Sequence, residues 1–340
     1  MSIARPIRKA IRQLIYGDTA LPQEFTVSLT EPQTLTTVWL HGLGEPIDVS
    51  LRYVTACCAP LLIGLSLKPE DAANLQGMQS QTRHPRLSLQ FREQTGEKRL
   101  LGVIHLTPKE TIQLDGLTFL LSKVIGTANY CLPFLRRWAH FVRLGWGEWR
   151  RIDTLGFRMT FLELRAAIVT FIRPHPLSLV SVSTPEGGNL FPMNLMGDLG
   201  DGYFAFALKD SRLAAHQVES AGRLAICNLP MPLCSTAVSM AINHTYPAID
   251  FSQLSFPVRD SAIFHLPVPA QAQRVRELEV LKVVKLGSHN LFLARIANIE
   301  QLSAEPQVNI IHGFYQYWLC HGDKAKLRNS LAEHLRNKPR

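Results

Sequence analysis

The chain has 340 residues, 46% of them hydrophobic and 19% charged, with a formal net charge of +9. That length accommodates two domains, and the balance excludes a disordered chain. The positive excess is spread evenly, with 17 basic against 12 acidic residues through Arg150 and 19 against 15 beyond it; this suits anionic small molecules or an anionic surface and marks no basic tail.

The opening residues place Ile3, Ile7, Ile11 and Leu14 at helical spacing, with Arg5, Arg8, Lys9 and Arg12 between them. The pattern predicts a basic amphipathic helix packed on its own domain; contact of residues 1–15 with an anionic membrane surface is the alternative. No apolar core of an export signal follows, which reads as a cytoplasmic protein. Residues 35–120 are strand-rich, with short alternating or β-branched runs at LTTVWLHGL, VSLRYVTA, LLIGLSL, RLSLQFREQ and KRLLGVIHL. The last two predict a hairpin turning at Thr95-Gly96, and residues 68–80 read as a loop or short helix. The longest nearly apolar run, residues 57–67, is too short to cross ~30 Å of hydrocarbon.

Residues 129–150 change character, with Phe134, Leu135, Trp138, Phe141 and Val142 on one helical face and Arg136, Arg137 and Arg143 on the rest. This predicts a helix whose aromatic stripe packs between two domains. No nucleic-acid-binding motif accompanies it. Gly145 and Gly147 are expected to end it, which places a domain boundary near Arg150. Beyond that point the strand candidates are 158–164, 177–183, 190–196, 203–208, 224–228, 277–285 and 291–299. Residues 211–219 and 234–242 read as helices, as does the tail with Leu327, Leu331 and Leu335. The fold class is therefore mainly β with a few helices: a strand-rich domain over 1–150, a barrel over 151–322 and a helical tail over 323–340. No internal repeat is evident in the residues, although both halves are strand-rich.

The six cysteines form no CxxC pair and no zinc-finger spacing, and the histidines form no metal set, so the thiols read as reduced and buried and no metal site is expected. The segment HGLGEP at 41–46 lacks the third glycine of a dinucleotide fingerprint, and P-loop, HEXXH and GXSXG patterns are absent. One stretch stands out. In VSTPEGGNLFPMN (182–194) a strand turns tightly and then carries Asn189, Pro192 and Asn194 where core residues belong. Proline there removes a ladder donor and marks an edge or bulge, and the two amides can serve a polar ligand edge.

Residues 173–228 resemble the flavin reductase-like family with an FMN-binding split barrel. The resemblance is carried by Arg173-Pro174 before a strand, the hairpin with Pro three residues after Asn189, a strand ending in Lys209-Asp210-Ser211 ahead of a helix, and a strand ending at Asn228-Leu229-Pro230. It extends through Gly287-Ser288-His289 and residues 310–318, covering about 155–322; the first 150 residues have no such match. The resemblance implies an FMN cofactor, with FAD the alternative, and NAD(P)H as co-substrate. It implies ring-side contacts from Ser183, Thr184, Asn189, Pro192, Met193, Asn194 and Leu195. Lys209, Ser211 and Arg212 would meet the phosphate, with Ser211 capping the helix, and His289 would orient flavin or nicotinamide. It also implies a homodimer through the C-terminal barrel, with an oxygenase or another electron acceptor downstream. A non-catalytic flavin carrier and a flavin-free scaffold stay open as alternatives, and so does a diverged barrel in the first half completing a pair within one chain. Met193 and Asn194 depart from the small residue and serine common in the family.

Overall fold

The computed structural model describes residues 24–31, 34–81, 85–114, 116–150 and 157–322. The expected N-terminal helix and C-terminal tail lie outside the described residues. Strands β1 (Glu24–Leu29), β2 (Thr36–His41), β3 (Ile47–Asp48), β4 (Tyr53–Cys58) and β5 (Leu61–Leu67) lead into helix α1 (Pro69–Gln81). β6 (Leu87–Glu93), β7 (Leu100–Leu114) and β8 (Leu117–Asn129) follow, then helices α2 (Phe134–Arg150) and α3 (Phe161–Thr170). The second half runs β9 (His175–Pro176), β10 (Ser178–Thr184), β11 (Gly187–Met193), β12 (Met196–Gly200), β13 (Tyr203–Lys209), α4 (Leu213–Ala221) and β14 (Arg223–Asn228). It continues with α5 (Cys234–Ser239), β15 (Val258–Asp260), β16 (Pro267–Pro269), β17 (Arg274–Leu286), β18 (His289–Gln301), β19 (Gln307–His312) and α6 (Gly313–Leu319).

The two halves are copies of one topology. The first sheet has the order β3-β2-β6-β7-β8-β5-β4 and the second β11-β10-β14-β17-β18-β13-β12. Matched strand by strand, these are the same path, with α1 and α4 inserted at the same point. The irregularities coincide as well. In the long hairpins an extra residue, Lys109 or Leu281, falls five before the strand end at Leu114 or Leu286. Another, Ile125 or Ala297, falls eight after the strand start at Leu117 or His289. Bulges bend a strand at a fixed point, so two pairs in common mark a shared framework. The repeat escapes a reading of residues because the core faces keep only the alternation of apolar character.

Each sheet is open between its terminal strands, giving a split barrel. Alternation explains why: in β18, Phe292 and Ala294 point into the second barrel's core while Leu291 and Leu293 point to the opposite face. That opposite face is a shared core in which Val54, Ala56, Cys57, Leu62 and Phe119 of the first barrel meet Leu199, Ala205, Leu286, Leu291 and Leu293 of the second. Burying each Val, Leu or Phe side chain there contributes roughly 1.5–3 kcal/mol. β5 is therefore apolar on both faces, which accounts for the unbroken LLIGLSL run. The close approach needs glycine at Gly287, at φ +74°, where a Cβ would lie 2.7 Å from the Ala59 carbonyl oxygen. The first barrel thus covers this face of the C-terminal barrel. β19 completes the union: it pairs with β1 and β9, and α6 beyond it delivers Phe314 and Tyr315 into the first barrel's core.

Other expectations shift. Residues 158–164 form no strand: Thr160 caps α3 and Glu163 reaches back to the Thr160 N–H, a Thr-x-x-Glu capping box in plain sight in the sequence. Residues 68–80 form a full helix, with Lys68 just before its start. β8 carries strand structure beyond the strand-rich region expected over 35–120, to Asn129. α2 continues through Gly145 and Gly147 to Arg150, and of its expected stripe Phe141 is buried while Phe134, Leu135 and Val142 are exposed. All six cysteines are free. No described helix is long and apolar enough to cross a membrane, and no cluster among the described residues could hold a metal ion.

Candidate functional site

The edge strands of the second barrel are β11 and β12, and residues 192–195 carry the chain from one to the other. Pro192 therefore sits where an absent N–H leaves no ladder bond unmade. Against this segment lies the end of β13, since the Ala207 N–H donates to the Leu195 carbonyl at 2.8 Å. Between them opens a cavity of about 230 Å³ lined by Pro192, Met193, Asn194, Leu195, Ala207, Leu208, Lys209, Arg212, Ala241, His244 and His289. Seven of the residues singled out from sequence thus share one space. Ala207, Leu208, Ala241 and His244 were not foreseen. The first two follow from the strand that ends at Lys209; nothing near 241–244 signals a site.

The remaining candidates lie elsewhere. Asn189 is fully buried, and its amide donates to Gln217 Oε1 and to the carbonyls of Asn243 and Tyr246, while its Oδ1 accepts from the Leu190 N–H. It ties the hairpin to α4 and to the turn at 240–245. Ser183 is exposed near the hairpin tip, and Thr184 closes that turn on the Gly187 carbonyl. Ser211 is exposed; helix α4 starts at Leu213 with Arg212 in the cap position and no side-chain cap.

The groups facing the cavity are polar ends on an apolar frame. The Asn194 amide makes no hydrogen bond among the described residues, and neither does the Arg212 guanidinium. His244 donates from Nε2 to the Pro192 carbonyl at 2.8 Å, and its ring lies 4.7 Å from that of Phe191, so it fixes the bridging segment from outside. His175, stacked on Phe171, sits between the carbonyls of Asn194 and Thr170 and can donate to only one while neutral. Burial holds its pKa down to about 4.

His289 pairs with Lys209 across the β13–β18 ladder and is nearly buried. Its Nδ1 lies 2.8 Å from Ser288 Oγ, which itself accepts from the Ala59 N–H at 3.0 Å. The Ser288 hydroxyl also lies 3.4 Å from Cys57 Sγ, so it links His289 to two groups of the first barrel, and its bond to Nδ1 runs in whichever direction the ring's tautomer sets. The first barrel thereby orients a residue of the second barrel's cavity. Burial lowers the His289 pKa to about 4, Asp210 opposing and Lys209 reinforcing the shift, so the ring is neutral near pH 7. A neutral imidazole, two cations and an amide that is unbonded among the described residues, set around an apolar slot, suit a planar heterocycle with an anionic tail.

In the first barrel the matching positions differ. The strand registers align Asp48 with Pro192, Ser50 with Asn194, Lys68 with Lys209, Glu70 with Ser211, Asp71 with Arg212 and Leu117 with His289. Ser50 is spent on Asp48 and the Val38 N–H, and Leu117 is buried in the shared core.

No protein-family model and no curated protein matches the chain. Solved structures are similar to it. The NADH:FAD oxidoreductase of Streptomyces globisporus is 15% identical over 44% of this chain and 89% of that one, with a TM-score of 0.39. The FMN-binding protein of Thermus thermophilus is 22% identical over 38% and 72%, with a TM-score of 0.34. The styrene monooxygenase flavin reductase of Pseudomonas putida S12 is 19% identical over 42% and 90%, with a TM-score of 0.33. The structural neighbours are thus flavin reductases and FMN-binding proteins.

Proposed function

We propose that the second barrel binds a flavin, FMN in first place and FAD in second, and works as an NAD(P)H-dependent flavin oxidoreductase. One observation carries this reading: the bridging segment 192–195, Lys209, Arg212 and His289 share one cavity at the open seam of the barrel. When bound, the flavin supplies the hydride-accepting chemistry. Asn194 would serve the polar edge of the ring, Met193, Leu195 and Ala207 its apolar faces, and Lys209 and Arg212 the phosphate. Each charge-assisted bond to phosphate would contribute roughly 1.5–3 kcal/mol. His289 would donate from Nε2 toward the ring's electron-rich edge and stabilise negative charge there without titrating. No acid or base side chain is needed for hydride transfer, which fits a cavity whose ionisable lining, among the described residues, is neutral histidines and cations. In this reading the first barrel takes the place of a second subunit. An oxygenase or another acceptor would take the electrons onward.

A flavin holder without nicotinamide access is the second reading, favoured by Phe157, whose ring lies 5.8 Å from that of His289 and close to Lys209 Nζ. Titration of the protein with FMN, read by quenching of flavin fluorescence, tests the shared part. Steady oxidation of NADH or NADPH with FMN present then separates the two. Turnover supports the reductase, quenching without turnover supports the holder, and absence of quenching ends both.

A further inference from the structure

Helix α2 is apolar on two opposite faces. His140 and Phe141 are buried on its inner side. At 3.6 residues per turn, Leu135, Val142, Trp146 and Trp149 fall within about 60° of one another on the outer side. There they are 80%, 62%, 57% and 68% exposed. A helix of this kind is ordinarily covered on both faces. The indoles of Trp146 and Trp149 pack against each other with centroids 5.1 Å apart, making one broad aromatic platform. Beside the stripe, one heptad apart, run Arg136, which turns to donate to the Tyr317 hydroxyl at 2.6 Å, and then Arg143 and Arg150, the last over the Trp146 ring. The only acid of α2, Glu148, points elsewhere and accepts from the Met159 N–H.

We infer that α2 lies on an anionic lipid surface, with Trp146, Trp149, Val142 and Leu135 in the headgroup–acyl boundary and Arg143 and Arg150 against lipid phosphates. Tryptophan at the boundary with arginine beside it is the composition of interfacial helices. Charge complementarity favours lipid over the other occupants at hand. A second copy would bring its own arginine row to the same seam, and residues 1–15 of this chain carry Arg5, Arg8, Lys9 and Arg12, which would repel it. Negatively charged bilayers attract such rows.

The full-length protein is sedimented with vesicles of phosphatidylcholine containing about one quarter phosphatidylglycerol, and with phosphatidylcholine alone. Binding to the first and not the second is expected, weakened by salt, with a blue shift of tryptophan emission. The double variant Trp146→Ser/Trp149→Ser and the double variant Arg143→Glu/Arg150→Glu should each bind at least tenfold less, with circular dichroism and FMN titration unchanged. The inference is overturned if the wild-type chain stays in solution with anionic vesicles, or if the Trp variant sediments as well as wild type. It is equally overturned if binding disappears instead on replacing Arg5, Arg8, Lys9 and Arg12 by Ser, or if sedimentation without lipid reveals a dimer that the Trp variant dissolves.

Discussion

The two barrels share a path, two bulge positions in the long hairpin and a lysine at the junction between a strand and the helix that follows it, yet their seams differ in charge. After Lys68 the first barrel reads Pro-Glu-Asp; after Lys209 the second reads Asp-Ser-Arg. Two carboxylates at a helix start suit the helix dipole, and they repel a phosphate. Leu117 contributes to packing where His289 presents a donor. The comparison teaches that a duplicated framework keeps its alternation and bends in both copies, because the shared core requires them. Ligand chemistry needs only a few side chains and can be confined to one copy.

Substitutions sharpen that contrast, beginning with the largest expected effect. Lys209→Glu combined with Arg212→Glu should weaken FMN binding at least 100-fold in a fluorescence titration, since two charge-assisted contacts become repulsive. The matched change Lys68→Glu in the first barrel should alter it less than twofold. Gly287→Val should lower stability by about 2 kcal/mol or more in chemical denaturation, because a Cβ cannot sit between a positive φ and the Ala59 carbonyl; a change below about 0.5 kcal/mol would show that the barrels do not lean on this contact. His289→Ala should slow NAD(P)H oxidation about tenfold while moving FMN affinity less, which separates a donor to the reacting ring from a packing role.

The mildest prediction concerns acid. His175 and His289 carry folded-state pKa values of about 4, below the ordinary 6.5, and burial depresses His312 further. The unfolded chain therefore binds more protons between pH 6.5 and 4, so stability should be full above pH 6.5 and fall as pH drops through that window. Each tenfold separation of the two proton affinities is worth about 1.4 kcal/mol. Replacing His175 by Gln should flatten the slope of melting temperature against pH; an unchanged slope would show that this ring is not buried neutral.

Much of the second barrel was legible because its strands alternate and end at glycine, proline or aspartate. The cavity was legible in part because Pro192 and Lys209 stand at strand ends, where local sequence has positional meaning. What stayed hidden depends on tertiary partners. Asn189 and Asn194 look alike in sequence, yet Gln217, Asn243 and Tyr246 consume the amide of the first, while that of the second has no hydrogen bond among the described residues. His244 reaches Pro192 from a segment without local signature. From the residues the duplication stands only as an alternative, because equivalent positions share polarity and bulge placement, which residue identity does not record. The Thr160–Glu163 capping box of α3 is legible in the sequence, but the apolar run around it also fits a strand.

The account turns on one site per chain, in the second barrel alone. Titrating a known concentration of chain with FMN to the break point of fluorescence quenching tests this most directly. The account predicts a break at one FMN per chain, abolished by Lys209→Glu/Arg212→Glu and unmoved by Lys68→Glu. A break at two per chain, or a single site that answers to Lys68 instead, would contradict it.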